Sequence, residues 1–177
     1  MHPNVEPQTF WFESDGKAFP NNPSLPALVY PHVLDPHTQS LADTFEDRYR
    51  ENRWAGTWRW GVYAYHHFHC DAHEALGVAT GHATIQLGGP QGQAIDVKAG
   101  DLMVLPAGTG HKNLRSSYDF LVVGSYPAGQ ASYSMNRGDL NEFNHTIRAI
   151  AQTPLPKTDP IYGSKGPLTQ LWMDKTS

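Results

Sequence analysis

The stretch Thr57-Trp-Arg-Trp-Gly-Val-Tyr-Ala-Tyr-His-His-Phe-His-Cys70 decides how this chain is read. Taken as one strand, its side chains alternate between two faces. One face carries Arg59, Gly61, Tyr63, Tyr65, His67 and His69, and the other carries Trp58, Trp60, Val62, Ala64, His66 and Phe68. The second face is mostly apolar and is expected to lie under protein. The first is polar and aromatic, as the wall of a ligand-filled cavity is. His67 and His69 project into the same space, where two imidazoles reach one ion. The chain holds ten histidines, and five of them (His66, His67, His69, His73 and His82) fall within seventeen residues. Histidine is mostly neutral at pH 7, so the cluster does not suit a solvated charged face, whereas it suits a metal site.

Working outward, Glu74 follows His69 by five residues, which on one straight strand would put it on the opposite face. A turn at Cys70-Asp-Ala72 reverses the chain and lets Glu74 point back from the next strand. His111 follows the turn Pro106-Ala-Gly-Thr-Gly110 and reaches the same cavity if the strands close around it. Three imidazoles and a carboxylate suit one divalent first-row ion, whether manganese, iron, cobalt, nickel, copper or zinc. Residual coordination positions would then be open to water or a small-molecule ligand. Cys70, His66 and His73 are expected to point away from the ion. Tyr65 on the histidine strand and Asn113 beyond His111 are the expected substrate contacts. Arg59 is expected at the cavity mouth, in water.

The surrounding sequence is that of an all-β domain. Between Thr57 and Tyr126, turn signals recur at Gly81, Gly88-Gly-Pro90, Ala99-Gly-Asp101 and Pro106-Ala-Gly108. Short segments such as Ala83–Leu87, Leu102–Leu105 and Phe120–Val123 lie between them, which indicates a sandwich or barrel. Residues 1–37 carry seven prolines and are expected to form an arm on the surface, with one strand at Ala27–Tyr30. Leu41, Phe45 and Tyr49 recur every four residues, which predicts a helix over 38–52. A second helix is expected over 140–152, opened by Asp139 and Glu142 as a capping box. The tail from Pro154 is expected to wrap the domain without regular structure. The chain thus reads as one domain: an arm and helix (1–56), a β core (57–126), and a C-terminal helix and tail (127–177).

Composition narrows the partners. The formal net charge is −4 and no run of Lys or Arg occurs, so neither nucleic acid nor an anionic membrane is an expected partner. No apolar stretch approaches the length of a membrane span, and residues 1–7 lack the features of a secretory signal. Cys70 is the single cysteine, which rules out an intrachain disulfide and fits a cytoplasmic location.

The same residues carry a family resemblance. Gly61-x5-His67-x-His69-x4-Glu74-x6-Gly81 reproduces the first cupin motif, and Gly100-x5-Pro106-x-Gly108-x2-His111 reproduces most of the second. The second motif then has Asn four residues after its His, where this chain has Arg115. The wording of Tyr65–His69, His73–Gly77, Gly110–Leu114 and Asp159–Gly163 resembles the YjlB-like bacterial monocupins. The resemblance covers nearly the whole chain. It implies a single jelly-roll β-barrel with a mononuclear metal site, and a homodimer, with Trp58, Trp60 and Phe68 offering an apolar outer face. The expected function is a metal-dependent enzyme of isomerase or dioxygenase type acting on a small polar molecule. The alternative is a non-catalytic, metal-assisted binding protein for a sugar or a small carboxylic acid. A DNA-binding regulator is disfavoured, because no helix-turn-helix and no basic charge are present.

Overall fold

A computed structural model describes residues 4–173. Nine strands and three helices make it mostly β. The strands are β1 (Gln8–Phe10), β2 (Ala27–Tyr30), β3 (Trp54–Trp60), β4 (Glu74–Thr80), β5 (His82–Leu87), β6 (Gln93–Lys98), β7 (Leu102–Leu105), β8 (His111–Ser116) and β9 (Leu121–Pro127). The helices are α1 (Leu41–Glu51), α2 (Phe143–Gln152) and α3 (Pro167–Met173). Among the described residues the ladders form two separate antiparallel sheets. One has the order β1-β2-β7-β4-β9-β3 and the other β6-β5-β8. Two sheets with a core between them agree with the expected sandwich or jelly roll, and no closed barrel is present among the described residues.

That core is built from alternate residues of both sheets. Val29, Leu76, Val78 and Met103 of the larger sheet meet Ile85, Leu87 and Val97 of the smaller one. The opposite face of the larger sheet, with Tyr30, Val104 and Val123, packs under α1 and the C-terminal tail. Helix α1 forms because its apolar residues recur at i and i+4, and Leu41, Phe45 and Tyr49 are all buried. Each side chain of this size stabilises the fold by roughly 1.5–3 kcal/mol on full burial. The polar flank of α1 is tied down as well. Arg59 of β3 reaches Asp43 at 2.5 Å and Glu46 at 2.6 Å, so its guanidinium serves sheet-to-helix contact rather than the cavity mouth.

Three expectations are corrected. The proline-rich segment is not a surface arm throughout. Ala27–Tyr30 is a fully buried interior strand, because this four-residue stretch lacks proline and can pair on both edges, with β1 and β7. Pro3 of that segment lies outside the described residues. The tail is not devoid of regular structure, since α3 begins at Pro167, where a missing N–H costs nothing. The second helix is real, but its first turn (Leu140–Glu142) is a 3-10 turn. Asp139 caps it by accepting the Asn141 N–H at 2.8 Å.

The long strand Thr57–Cys70 is also broken. Ladder pairing with β9 ends at Trp60, after a bulge between Ala55 and Trp58. The chain then runs without regular structure until single bridges join His67 to His111 and Phe68 to Asn136. Outside any ladder between Trp60 and His67 the chain leaves regular strand geometry, so simple alternation does not hold through this stretch. Phe68 packs in a small core with Phe19 and Ala107, Trp58 is half-buried, and only Trp60 stands exposed, at 56%. Trp58, Trp60 and Phe68 therefore do not share one outer apolar face. No described helix is long and apolar enough to cross a membrane.

Candidate metal centre

His67, His69, Glu74 and His111 are all buried and line one cavity of about 200 Å³. Two facing sheets deliver them. Glu74 is the first residue of β4 in the larger sheet, paired with Leu105. His111 opens β8 in the smaller sheet, paired with Leu87. The irregular stretch before β4 is stitched to both. His67 N–H donates to the His111 carbonyl at 3.1 Å and His111 N–H returns to His67 at 2.9 Å. The His69 carbonyl accepts the Gly108 N–H at 2.8 Å. Gly108 makes that turn with φ +94, and a Cβ there would lie 2.6 Å from Ile150 Cδ1, so glycine is required for two reasons.

Ligand atoms of His69, Glu74 and His111 lie within 4.8 Å of one another. His69 Nε2 is 3.5 Å from Glu74 Oε1, and His111 Nε2 is 3.2 Å from Glu74 Oε2. His67 stands outside this tight trio but against it, with its ring centroid 4.0 Å from that of His111 and 6.4 Å from that of His69.

The three imidazoles share one hydrogen-bond arrangement. His67 Nδ1 bonds the Tyr65 carbonyl at 2.9 Å, His69 Nδ1 the Ser134 carbonyl at 2.6 Å, and His111 Nδ1 the Thr109 carbonyl at 3.0 Å. A carbonyl only accepts, so each Nδ1 carries the proton and donates it. Each Nε2 is then left with its lone pair in the neutral ring, the tautomer that coordinates a metal. Glu74 Oε2 is buried with no hydrogen-bond partner among the described residues. An orphaned buried carboxylate oxygen beside imidazole lone pairs is the donor set of a divalent cation, so the residues fit one.

Electrostatics agree. Burial alone would raise the Glu74 carboxyl, but His69 and His111 hold it well below the usual carboxylate range. Burial and the neighbouring His111 push His67 down to about 3, so it stays neutral. Burial opposes a charge on His69 too, yet the Glu74 carboxylate outweighs it and raises that imidazole above its ordinary value. Ligands of this kind must give up their protons to bind, and Glu74 and His67 have already done so at neutral pH.

A second layer orients the carboxylate. Tyr126 of β9 donates to Glu74 Oε1 at 3.1 Å and accepts from Trp58 Nε1–H at 2.9 Å. Burial, with the nearby carboxylate, raises the Tyr126 hydroxyl well above its ordinary value, so it remains a donor. Tyr133 stacks on Tyr126 at 4.3 Å and meets His69 edge-on at 4.5 Å.

Some expected site residues lie elsewhere. Neither Tyr65 nor Asn113 lines the cavity. Tyr65 stacks on Tyr63 at 4.8 Å and meets His67 edge-on at 5.6 Å, and the Arg137 guanidinium covers it at 3.7 Å from the ring centre. Asn113 donates from its side chain to Ser116 Oγ at 3.1 Å. The reason is the broken strand, which turns Trp58, Trp60 and Val62 to the cavity in place of Tyr65. Cys70 contacts Ser134 Oγ at 3.2 Å, and His73 spends both ring nitrogens on backbone, accepting from Ala107 N–H and bonding the Pro154 carbonyl. Both are structural, as expected. Sequence reasoning missed Tyr126 and Tyr133. Tyr126 closes the apolar strand β9 and reads as core. Tyr133 sits in a polar connection whose sequence carries no signal.

No protein-family model matches the chain. Over 168 residues it is 42% identical to the uncharacterized protein YjlB of Bacillus subtilis (strain 168), covering 95% of this chain and 98% of that protein. Among solved structures it resembles the acireductone dioxygenase from Bacillus anthracis with a cadmium ion in its active centre. That match has 12% identity and a TM-score of 0.41 over 59% of this chain and 79% of the other. It also resembles the Lactobacillus farciminis oxalate decarboxylase formate complex at 14% identity and a TM-score of 0.33, over 85% of this chain and 42% of the other.

Proposed function

The chain belongs to the YjlB family, and from its buried histidine–glutamate cluster we propose that it is a metal-dependent enzyme, of isomerase or oxygenase type, acting on a small polar molecule. The observation that carries this reading is the shared Nδ1–carbonyl bond of His67, His69 and His111, which leaves the Nε2 of each ring, that of His69 once it has given up its proton, to coordinate beside the unpartnered Glu74 oxygen. His69, Glu74 and His111 hold one divalent first-row ion and His67 completes the set. When bound, such an ion supplies Lewis acidity toward a ligand oxygen or, in the case of iron, reactivity with dioxygen.

The protein's own contribution is orientation. Tyr126 holds Glu74 in one rotamer, and Trp58 fixes the Tyr126 hydroxyl in turn. The carbonyls of Tyr65, Thr109 and Ser134 fix the imidazoles. The cluster faces a cavity whose rim includes the exposed Trp60 and Met135, and this supports exchange of ligands rather than a sealed structural metal.

Metal content is the test. Protein purified without chelator, stripped and reloaded with cobalt(II), manganese(II) or zinc(II) is expected to take up one ion per chain by elemental analysis. His111→Ala and Glu74→Gln should each weaken uptake by on the order of 100-fold or more, beyond the effect typical of outer partners. The loaded protein should then turn over a member of a small-metabolite panel that the stripped protein does not. A chain that takes up no ion, or a His111→Ala variant that holds it as tightly as wild type, overturns the reading.

A further inference from the structure

The walls around the cluster are of one chemical kind. Trp60 meets Tyr63 edge-on at 4.8 Å, and Tyr63 meets His67 edge-on at 5.3 Å, so one aromatic pair stands beside His67. Tyr126 and Tyr133 form a second pair beside His69. Met135 adds a soft apolar contact to the same lining. Among the described residues no Lys or Arg lines the cavity. Arg59 is engaged by Asp43 and Glu46, and Arg137 lies over Tyr65.

The lining offers few polar groups beyond those already in use, chiefly the hydroxyls of Tyr63 and Tyr133. Trp58 Nε1 and the Tyr126 hydroxyl are used in orienting Glu74. The imidazoles and Glu74 belong to the ion. A sugar entering here would bring several hydroxyls and find few partners for them, and each buried hydroxyl left unmade is costly. A second carboxylate on a small acid would meet no cation apart from the ion itself. A flat ring, in contrast, finds aromatic faces and edges beside both His67 and His69. Four protein ligands on a first-row ion that takes six leave two positions, which suit a pair of neighbouring oxygens. The space of about 200 Å³ is of the order of seven water volumes and admits one such ring and its oxygens.

We infer that the ligand of this site is a small aromatic or planar conjugated compound carrying two adjacent oxygen donors, gripped at its oxygens by the ion and at its ring by the Trp60–Tyr63 and Tyr126–Tyr133 pairs. The inference rests on the metal reading of the site proposed above and names the substrate class for it.

Two hydroxamates with the same chelating head test it. Benzohydroxamate carries a phenyl where acetohydroxamate carries a methyl. Cobalt(II)-loaded protein is titrated with each, following the visible absorption of the ion, while elemental analysis reports cobalt per chain independently. Benzohydroxamate is expected to bind roughly tenfold tighter or more, from the buried ring and its aromatic contacts. Trp60→Ala and Tyr63→Leu, which leave every ion-holding side chain in place, should erase most of that preference and leave acetohydroxamate affinity unchanged. Cobalt at one ion per chain with equal affinity for the two probes overturns the inference and leaves the metal site standing. So does a phenyl preference that survives both substitutions together. A chain that takes up no cobalt defeats the metal reading, and the inference falls with it.

Discussion

Glu74 and His69 interact in a way that sets how the site responds to pH. The carboxylate raises the proton affinity of His69 above that of an ordinary imidazole, against the opposing effect of burial. An ion must displace that proton to bind. Protons therefore compete with the metal already at and above pH 6.5, the ordinary histidine value, and compete more strongly as pH falls. His67, pushed down to about 3, adds no competition in this range. Cobalt affinity measured by competition with a chelator should fall by at least about tenfold per pH unit below the His69 value, because His69 alone must release one proton per ion. Affinity that stays flat from pH 8 down to pH 5.5 would show that His69 is not a ligand. His73, one residue before Glu74, behaves differently. Burial holds it neutral, pushed down to about 4, with its backbone partners satisfied, and this suits an anchor under the turn rather than a ligand.

Helix α1 and strand β4 meet more closely than side chains normally allow. A Cβ at Gly77 would lie 2.6 Å from Phe45 Cδ1, and Phe45 is fully buried. Neither partner can give way, because Phe45 also packs against Tyr49 at 6.0 Å and Tyr49 donates to the Val123 carbonyl at 3.0 Å. Gly77→Ala should destabilise the fold by roughly 1–3 kcal/mol, read by urea denaturation, as overpacking does in a filled core. Stability unchanged from wild type would mean that the helix slides freely on the sheet. The helix was legible because its apolar residues recur every four positions on one face. Helix α3 was not, because it is seven residues long and buries Pro167, Leu168, Thr169 and Trp172 around most of its circumference, which leaves no period to read.

The C-terminal segment holds the domain together from outside the motifs. Asp159 is fully buried, and Tyr30 of β2 donates to its Oδ2 at 2.6 Å. The backbone N–H groups of Ile161, Tyr162 and Leu168 donate to the same carboxylate. Trp172, also fully buried, donates from its indole to the Pro26 carbonyl at 3.0 Å. One acidic side chain thus binds the tail to an interior strand of the larger sheet. Asp159→Ala strands three buried donors and a partly buried one, and should cost on the order of 3–5 kcal/mol in chemical denaturation. Because Asp159 lies away from the histidines, the folded fraction of that variant should still take up one cobalt ion per chain. A loss below about 1 kcal/mol would show that the tail is held by packing alone.

The spacing of His67, His69 and Glu74 was readable because they are close in sequence and a turn before Glu74 is enough to bring it back toward the histidines. His111, far along the chain, was readable only through its glycine and proline motif, and it meets the others because the smaller sheet packs on the larger. The strand segments and α1 were readable because period and turn chemistry are local. The identity of the cavity walls was not. Which of Trp58, Trp60, Tyr63 and Tyr65 face the ion depends on the bulge between Ala55 and Trp58 and on the end of pairing after Trp60. Both are set by how β3 meets β9, nearly seventy residues away in sequence. Tyr126 and Tyr133 reach the site by the same long-range packing. A ligand cluster can be written in a short motif, whereas the surface it faces is assembled from distant segments, and only their packing against one another selects it.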